Sequence, residues 1–216
     1  MKTGILFDLD GTLLSTLEDL TDAVNYTLRH YGCPERSREE VCSFLGYGAK
    51  YLITSALPEK GKDFDVDTVL AFYQKYYGAH SQIKTRPYDG ILEALAELRK
   101  DYPIAIVSHK PDIATKPLCK EYFGVDIYAL GESAGCPRKP APDMVWKAQQ
   151  AIGVETCIYV GDSEVDVQTA KNAGVPCLSV LWGVRDKDYL QKEGATHFCD
   201  DPKKLATCLK EMIEHG

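Results

Sequence analysis

Residues 5–14 have the sequence Ile-Leu-Phe-Asp-Leu-Asp-Gly-Thr-Leu-Leu, and the rest of the chain is organised around this stretch. Its apolar run is typical of a β-strand and ends in two carboxylates, Asp8 and Asp10, followed by a Gly-Thr turn. Open α/β sheets bind ligands at the carboxyl ends of their strands, so we expect both acids at a ligand-binding edge. The alternative is a plain strand end, with Asp and Thr capping the N-terminus of a following helix.

Two carboxylates this close repel each other unless a cation lies between them. A hard divalent ion such as Mg²⁺, which takes carboxylate and carbonyl oxygens, removes that repulsion. One carboxylate can then attack an electrophile while the other transfers a proton. The pair therefore predicts a metal-dependent site with acid–base chemistry.

Strand-like runs alternate with helical patterns from about residue 88 to the C-terminus. With the first strand, these apolar runs lie at residues 3–8, 103–107, 127–130, 156–160, 176–181 and 195–198. The alternation predicts an α/β fold with a Rossmann-like, doubly wound parallel sheet covered by helices on both faces. Right-handed connections would place the loops after residues 8, 107, 130 and 160 at one edge of this sheet.

A long helical region separates the first strand from the later alternation. Apolar side chains recur at helical spacing and predict helices at about residues 16–31, 38–44, 49–56 and 65–78. Because this insert directly follows the first strand, we expect it to form an α-helical cap domain over residues 15–82. The α/β core would then consist of residues 1–14 and 83–216.

The composition limits the classes of function. The chain of 216 residues has a formal charge of −7, which argues against nucleic acid as a partner, because phosphate backbones are bound by basic patches. No apolar run approaches the roughly 20 residues needed to cross a membrane, and the start of the chain shows no signal-peptide pattern. We therefore expect a cytoplasmic protein. Its eight cysteines are widely spaced without a C-x₂-C pair, which predicts reduced structural thiols.

Four more polar residues lie in the loops that follow the predicted strands: Ser108, Lys139, Asp162 and Asp166. Taken singly, each has a simpler interpretation. Ser108 could cap a turn or helix, Lys139 could be a solvated loop lysine, Asp162 could cap a helix, and Asp166 could be a charge in a first helical turn.

Together with the two acids of the first loop, these residues supply a metal site, a nucleophile, a proton shuttle and two groups that bind an anion. Such a set suits phosphoryl transfer, which depends on alignment and on charge stabilisation around the phosphoryl oxygens. The backbone amides of residues 9–12 can form a nest for the remaining oxygens. Gly11 and Thr12 are therefore candidate substrate-binding residues.

At these positions the chain resembles a known family, the haloacid dehalogenase superfamily of phosphatases. The Asp-Leu-Asp-Gly-Thr of residues 8–12 resembles its first motif, and Ser108 resembles the Ser/Thr of its second. Lys139 in Lys-Pro-x-Pro resembles the third motif, and Gly161-Asp162-x-x-x-Asp166 resembles the fourth. The four motifs occur in order over nearly the whole chain, and the helical insert is similar to the family's small α-helical cap.

The resemblance implies roles for these residues. Asp8 would be the nucleophile that forms an aspartyl-phosphate, and Asp10 would be the general acid and then the general base. Mg²⁺ would be held by Asp8, the Asp10 carbonyl and Asp162, with Asp166 as a further ligand or as support behind the ligands. Ser108 and Lys139 would bind the phosphoryl group.

His109 departs from the resemblance, because related proteins often have Asn after the Ser/Thr of the second motif. The family pattern places substrate contacts at this position, so His109 is a candidate substrate-binding residue. The alternative is a residue at the start of a helix with no catalytic duty.

Asp10 favours hydrolysis of phosphate esters within the superfamily. Members that cleave carbon–halogen or carbon–phosphorus bonds lack an acid at this position, whereas an alkoxide leaving group needs a proton. The cap turn Gly46-Tyr47-Gly48 is similar to the Gly-x-Gly in the cap of phosphoglycolate phosphatases, and its glycines let backbone amides approach a ligand. A plain helix–helix turn is the alternative for this tripeptide.

The predicted function is thus a Mg²⁺-dependent phosphomonoester hydrolase acting on phosphoglycolate or another small phosphorylated metabolite. Three alternatives stay open: a β-phosphoglucomutase-like phosphomutase that needs a sugar bisphosphate, a broad-specificity sugar phosphate or nucleotide phosphatase, and a binding or regulatory module. The last would be expected to have lost a motif acid, and none is lost here. We expect a monomer or a weak homodimer.

Overall fold

The computed structural model describes residues 2–133 and 135–215 and divides the chain into two compact units. An α/β unit comprises Met1–Leu14 and Pro87–Gly216, and a helical unit comprises Ser15–Arg86. The strands are β1 (Thr3–Phe7), β2 (Leu14–Ser15), β3 (Arg86–Pro87), β4 (Ile104–Pro111), β5 (Tyr128–Glu132), β6 (Thr156–Gly161), β7 (Cys177–Val180) and β8 (His197–Cys199).

The helices follow the spacing of apolar residues along the chain. They are α1 (Leu17–His30), α2 (Arg38–Ser43), α3 (Gly48–Ala56), α4 (Val66–His80), α5 (Ile91–Leu98), α6 (Asp112–Phe123), α7 (Asp143–Ile152), α8 (Glu164–Ala173), α9 (Lys187–Lys192) and α10 (Leu205–His215). Short 3₁₀ turns span Pro58–Gly61 and Pro202–Lys204.

The central sheet has six parallel strands in the order β5-β4-β1-β6-β7-β8. In chain order, β4 and β5 are added on one side of β1. The next strands, β6, β7 and β8, are added on its other side. The direction of winding therefore reverses beside β1. In open α/β sheets, ligands bind at the carboxyl ends of the strands at such a reversal.

Side chains of the central strands alternate between the two faces of the sheet, as expected for a strand. On β1, Phe7 packs on one face with Leu95 of α5 and Leu209 of α10. Leu6 packs on the opposite face with Val145 of α7. Both faces are covered by helices, which explains why these strands are almost continuously apolar. The predicted doubly wound parallel sheet is confirmed.

One strand is longer than its sequence pattern predicted. The apolar run ends at Val107, but β4 continues to Pro111, so Ser108 and His109 belong to an extended segment. The pairing of β4 with β5 shifts register between Val107 and Pro111. An apolar pattern cannot reveal this extension, because Ser108, His109 and Lys110 are polar. They are buried by contacts at the candidate site and do not belong to the hydrophobic core.

The helical unit has its own core, formed by α1 to α4 and including Val24, Leu28, Ile53 and Tyr73. The segment before β3 is held in this unit by the buried Asp19, whose carboxylate accepts the backbone N–H groups of Lys84 and Thr85. Residues 83–86 are accordingly grouped with the helices.

Two further expectations from composition can be compared with the structure. Among the described residues, no helix is both long and apolar enough to cross a membrane. The eight cysteines are free thiols, as their spacing predicted. Burial raises the pKa of Cys119, Cys157, Cys177 and Cys199 to about 12, which makes these thiols unreactive.

Candidate active site

The register of the sheet brings three loops to the same level. Phe7, the last residue of β1, is aligned with Ile106 of β4 on one side and with Val160 of β6 on the other. The residues that follow these positions therefore emerge together at the carboxyl edge. They include Asp8 after β1, Ser108 near the end of β4, and Asp162 after β6.

Three of the predicted acids form a buried cluster at this edge. Asp8, Asp162 and Asp166 each offer a carboxylate oxygen, and these oxygens lie within 4.8 Å of one another. Burial, with Lys139 opposing it, raises the pKa of Asp8 well above its usual value. Carboxylates gathered at this distance suit a hard divalent cation, which compensates their charge. The cluster could hold a metal ion.

Lys139 supplies a positive charge to the same cluster. Its Nζ lies 3.0 Å from Asp8 Oδ1 and 2.8 Å from Asp166 Oδ1. Burial alone would lower the pKa of Lys139, but the carboxylates of Asp166 and Asp8 overcome this and hold it well above its usual value. The side chain is 2% exposed, so this is a fixed ammonium group and not the solvated loop lysine of the simpler interpretation.

Asp166 organises the cluster through both of its carboxylate oxygens. While Oδ1 accepts the hydrogen bond from Lys139, Oδ2 accepts from the Ser163 hydroxyl at 2.6 Å and from the backbone N–H groups of Ser163 and Asp162. These contacts cap the first turn of α8 and orient Lys139. Burial would raise the pKa of Asp166, but Lys139 and these hydrogen bonds hold it below its usual value.

Asp162 is held by groups from two distant parts of the chain. Its Oδ1 accepts a hydrogen bond from the Thr12 hydroxyl at 2.7 Å, and its Oδ2 accepts one from the backbone N–H of Val184 at 2.8 Å. Burial, reinforced by the neighbouring Asp166, raises the pKa of Asp162 to about 7. A bound cation would favour the ionised form of this carboxylate.

Glycines make the room that the acids of the fourth motif need. A Cβ on Gly11 or on Gly183 would lie 2.3 Å from atoms of Asp162, and a Cβ on Gly161 would lie 2.3 Å from Asp166. Gly11 also has a φ of +83°, which side chains rarely adopt. Gly11 is therefore required both by the turn and by the acid beside it.

The predicted nest of backbone amides is only partly available. The N–H of Gly11 donates to the Leu14 carbonyl at 2.9 Å, and the N–H of Thr12 donates to the Leu9 carbonyl at 3.4 Å. Both amides thus have partners within the turn, and a contact of Gly11 or Thr12 with the phosphoryl group stays a prediction. Both residues also shape the site around Asp162.

Ser108 and His109 are both buried at the end of β4. The Ser108 hydroxyl oxygen accepts the backbone N–H of Lys110 at 3.1 Å, which leaves its own proton to be donated. The Nε2 of His109 lies 2.8 Å from the carbonyl oxygen of Lys139. His109 thus secures the lysine loop. It does not stand at the start of a helix, since α6 begins at Asp112.

Asp10, unlike Asp8, Asp162 and Asp166, has its side chain outside the buried acid cluster that could hold a metal ion. Its Oδ2 is 3.3 Å from Nζ of Lys110, which is buried. The sequence pattern did not predict Lys110 as a site residue. The available signal was its position directly after Ser108 and His109, in a segment already assigned to the site.

The loop after β7 also contributes to the site, although the sequence pattern did not predict it. Trp182 Nε1 donates to the Thr12 carbonyl at 3.0 Å, the Val184 N–H reaches Asp162, and Arg185 forms an ion pair with Glu164 at 2.8 Å. The signal was topological, because β7 is parallel to β6 and its carboxyl end must reach the same edge.

The predicted substrate-reading turn Gly46-Tyr47-Gly48 lies in the helical unit, between α2 and α3. Tyr47 contacts Tyr51 there, with ring centroids 5.0 Å apart. A contact of this turn with substrate stays a prediction.

Comparison with known proteins agrees with the motifs and the geometry. Residues 5–180 match the family described as haloacid dehalogenase-like hydrolase. The chain belongs to this family. Among curated relatives, the phosphoglycolate phosphatase of Mesorhizobium japonicum is 31% identical, with 98% of each chain covered. Phosphoglycolate phosphatase 1 of Pseudomonas aeruginosa is 30% identical over 97% of this chain and 80% of its own length.

A solved structure extends the agreement to the fold. A protein of Lactobacillus delbrueckii subsp. bulgaricus, provisionally named a phosphoglycolate phosphatase, superposes with a TM-score of 0.90. It is 37% identical, with 97% of this chain and 99% of that chain covered. The prediction of a haloacid dehalogenase-like phosphatase that resembles phosphoglycolate phosphatases is confirmed.

Proposed function

We propose that this protein is a Mg²⁺-dependent phosphomonoester hydrolase that acts through an aspartyl-phosphate on Asp8, with phosphoglycolate or another small phosphorylated metabolite as its substrate. The observation that carries the proposal is that Asp8, at the carboxyl end of β1, contacts Lys139 and lies in one cluster with the acids of the fourth motif. This arrangement supports a nucleophile, a cation and a candidate metal site around one point.

Asp8 acts as the nucleophile. One of its carboxylate oxygens forms a bond to phosphorus while the bond from phosphorus to the ester oxygen breaks. Lys139 stabilises the phosphoryl oxygens with a charge that is already in place, and the Ser108 hydroxyl donates a hydrogen bond to them. Because these groups are buried and fixed, they need little rearrangement as charge develops.

Asp10 transfers a proton in each of the two steps. In the first step it gives a proton to the leaving oxygen, which departs as an alcohol. In the second step it takes a proton from the water that attacks phosphorus, so that inorganic phosphate and free Asp8 are produced. The supporting observation is that Asp10 lies two residues after the nucleophile and outside the acid cluster.

Asp8 and Asp162 would hold the Mg²⁺ ion, with Asp166 supporting them through its hydrogen bonds. The donor set is all oxygen and carries a negative charge, as this ion requires. When bound, the ion neutralises charge on the phosphoryl group and acts as a Lewis acid.

Phosphoglycolate is the first substrate to test, because several relatives at about 30% identity bear that name. We infer further that residues 15–82 form a helical cap domain and that residues 1–14 and 83–216 form the α/β core. The glycine turn Gly46-Tyr47-Gly48 of that cap would contact the part of the substrate that is not phosphoryl. A cytoplasmic location and a monomeric or weakly dimeric state stay predictions from the sequence.

The test is phosphate release from a panel of small phosphomonoesters, measured with Mg²⁺ and with chelator, alongside Asp8→Asn. The panel includes phosphoglycolate, sugar phosphates, nucleoside monophosphates and 4-nitrophenyl phosphate. We expect Mg²⁺-dependent release that is fastest with phosphoglycolate and absent in the variant. Equal release across the panel would contradict the substrate but keep the chemistry. Release from no ester, with turnover of a sugar phosphate only when its bisphosphate is added, would replace the hydrolase with a phosphomutase.

A further inference from the structure

Lys110 lies beside Asp10 much as Lys139 lies beside Asp8. The side chain of Lys110 is 4% exposed, and its Nζ is 3.3 Å from Asp10 Oδ2. Lys139 comes from the loop before α7, whereas Lys110 comes from the last part of β4. Each of the two acids of the first motif is thus paired with its own buried lysine. The two acids would have different tasks, so the two lysines need separate explanations.

The backbone around Lys110 is fixed on both sides. Its N–H donates to the Ser108 hydroxyl oxygen at 3.1 Å, and its carbonyl accepts a hydrogen bond from the buried Thr115 hydroxyl at 2.9 Å. Gly131 on β5 lets this segment pass closely, since a Cβ there would lie 2.6 Å from the Lys110 carbonyl oxygen. The backbone from which the Lys110 side chain extends is therefore fixed, and the contact with Asp10 Oδ2 positions its ammonium group.

The two oxygens of Asp10 differ in their surroundings. Oδ2 has the ammonium group of Lys110, whereas Oδ1 is buried and has no hydrogen-bond partner within residues 2–133 and 135–215. Leaving a buried acceptor unpaired costs free energy, so such an atom calls for an explanation. One oxygen of this carboxylate is anchored, and the other is left to contact a ligand. This arrangement is typical of a carboxyl group that exchanges a proton with a ligand.

We propose that Lys110 is a positioning residue that anchors Asp10 through Oδ2 and so reserves Oδ1 for the proton passed to the leaving oxygen. In the first step the proton moves from Oδ1 to the ester oxygen, and the new negative charge on Asp10 lies beside the ammonium group. In the second step Oδ1 takes a proton from the attacking water, which restores Asp10. Lys110 keeps its own proton throughout.

The surroundings of the pair favour this role over solvent contact. Cys119 is buried close enough to feel the charges of both Asp10 and Lys110, and burial raises the pKa of its thiol to about 12. Because the side chain of Lys110 is 4% exposed, the side of Asp10 that faces it belongs to the protein interior. Removing the ammonium group would leave the Asp10 carboxylate without its buried counter-charge.

This inference rests on the proposed function, so its test compares two esters that differ in their need for a proton. Phosphoglycolate has an alkoxide leaving group that must be protonated, whereas 4-nitrophenyl phosphate has a leaving group that departs as an anion. For both, kcat/KM reports the steps up to phosphoryl transfer to Asp8. We expect Lys110→Met to lower kcat/KM for phosphoglycolate by about 100-fold, and for the aryl ester by less than about 10-fold.

Two comparisons separate positioning from a purely structural role. Lys110→Arg keeps the charge and should recover most of the activity with phosphoglycolate. In an Asp10→Asn background, Lys110→Met should cause no further loss of kcat/KM, because the group it positions is already gone. Lys116→Met is the matched control, since Lys116 is an exposed lysine that pairs with Asp112 at 2.6 Å on α6. It should leave both substrates unaffected.

The proposal is overturned by equal loss on the two esters, by a further loss in the Asp10→Asn background, or by unchanged activity of Lys110→Met. If Lys110→Met does not fold, the double variant decides, because it removes both charges of the pair together. Failure of the wild type to hydrolyse any ester in the panel would instead overturn the proposed function. The two failures are therefore distinguishable.

Discussion

The hydroxyl of Thr12 donates a hydrogen bond of 2.7 Å to Asp162 Oδ1 across 150 residues of sequence. It joins the turn after β1 to the loop after β6, the two strands beside which the winding of the sheet reverses. Asp162 is also held from its other oxygen by the N–H of Val184. The candidate metal ligand is therefore oriented before any ion binds.

Thr12→Val should destabilise the protein by about 1–3 kcal/mol, because it leaves a buried carboxylate oxygen without its donor while keeping the shape of the side chain. Thr12→Ser keeps the hydroxyl and is the matched control. Urea denaturation of the three proteins measures the difference in free energy of unfolding. Equal stability of the valine and serine variants would show that the hydrogen bond contributes nothing.

Asp8→Asn should abolish turnover without unfolding the protein. The amide is not a nucleophile, and burial already raises the pKa of Asp8, which shows that a charged group is costly at this position. Lys139 keeps its partner Asp166 in the variant. Phosphate release and thermal unfolding are measured together, and steady turnover by a folded variant would remove Asp8 from the role of nucleophile.

Asp10→Asn should lower kcat/KM for phosphoglycolate by about 100-fold to 10,000-fold, the usual contribution of a general acid. The loss with 4-nitrophenyl phosphate should be much smaller, because that leaving group needs no proton. Steady-state kinetics on the two esters give the comparison. A loss of equal size on both would be inconsistent with proton donation by Asp10.

Mg²⁺ should raise the thermal unfolding midpoint of the wild type, and chelator should reverse the rise. A ligand present at about 100 times its Kd adds about 2.7 kcal/mol to the stability of the native state. Asp162→Asn should lose this response, whereas Asp200→Asn should keep it, since Asp200 is an exposed acid paired with Lys204. An unchanged response in Asp162→Asn would place the ion elsewhere. This readout is independent of activity.

His109→Leu should lower kcat more than it raises KM, because it removes the contact of 2.8 Å to the Lys139 carbonyl and loosens the loop that carries the ammonium group. The ring nitrogen donates in this contact, since a carbonyl oxygen can only accept. His109→Asn places an amide donor near the same carbonyl and should recover much of the activity. If Asn and Leu behave alike in kinetics at equal thermal stability, His109 has no positioning role.

Much of the fold was determined by local sequence pattern. The apolar runs of β1 and β6 predicted buried strands, and helical spacing predicted α1 and α4 within a few residues of their observed bounds. These features depend on neighbours within one or two turns of chain, so the sequence reports them directly. The order of the four motifs likewise predicted which acids, serine and lysine would belong to the site.

The tertiary structure alone decided how those residues are used. It assigned Asp166 to Lys139 and to the first turn of α8, assigned the Thr12 hydroxyl to Asp162, and showed that Lys110 faces Asp10. It also brought the loop after β7 to the site. Apart from the local contacts of Asp166 within the first turn of α8, each of these relationships joins groups from distant parts of the chain, and their distances follow from sheet order and register. No periodicity along the chain encodes them, because polar partners far apart in sequence meet only once the sheet has formed.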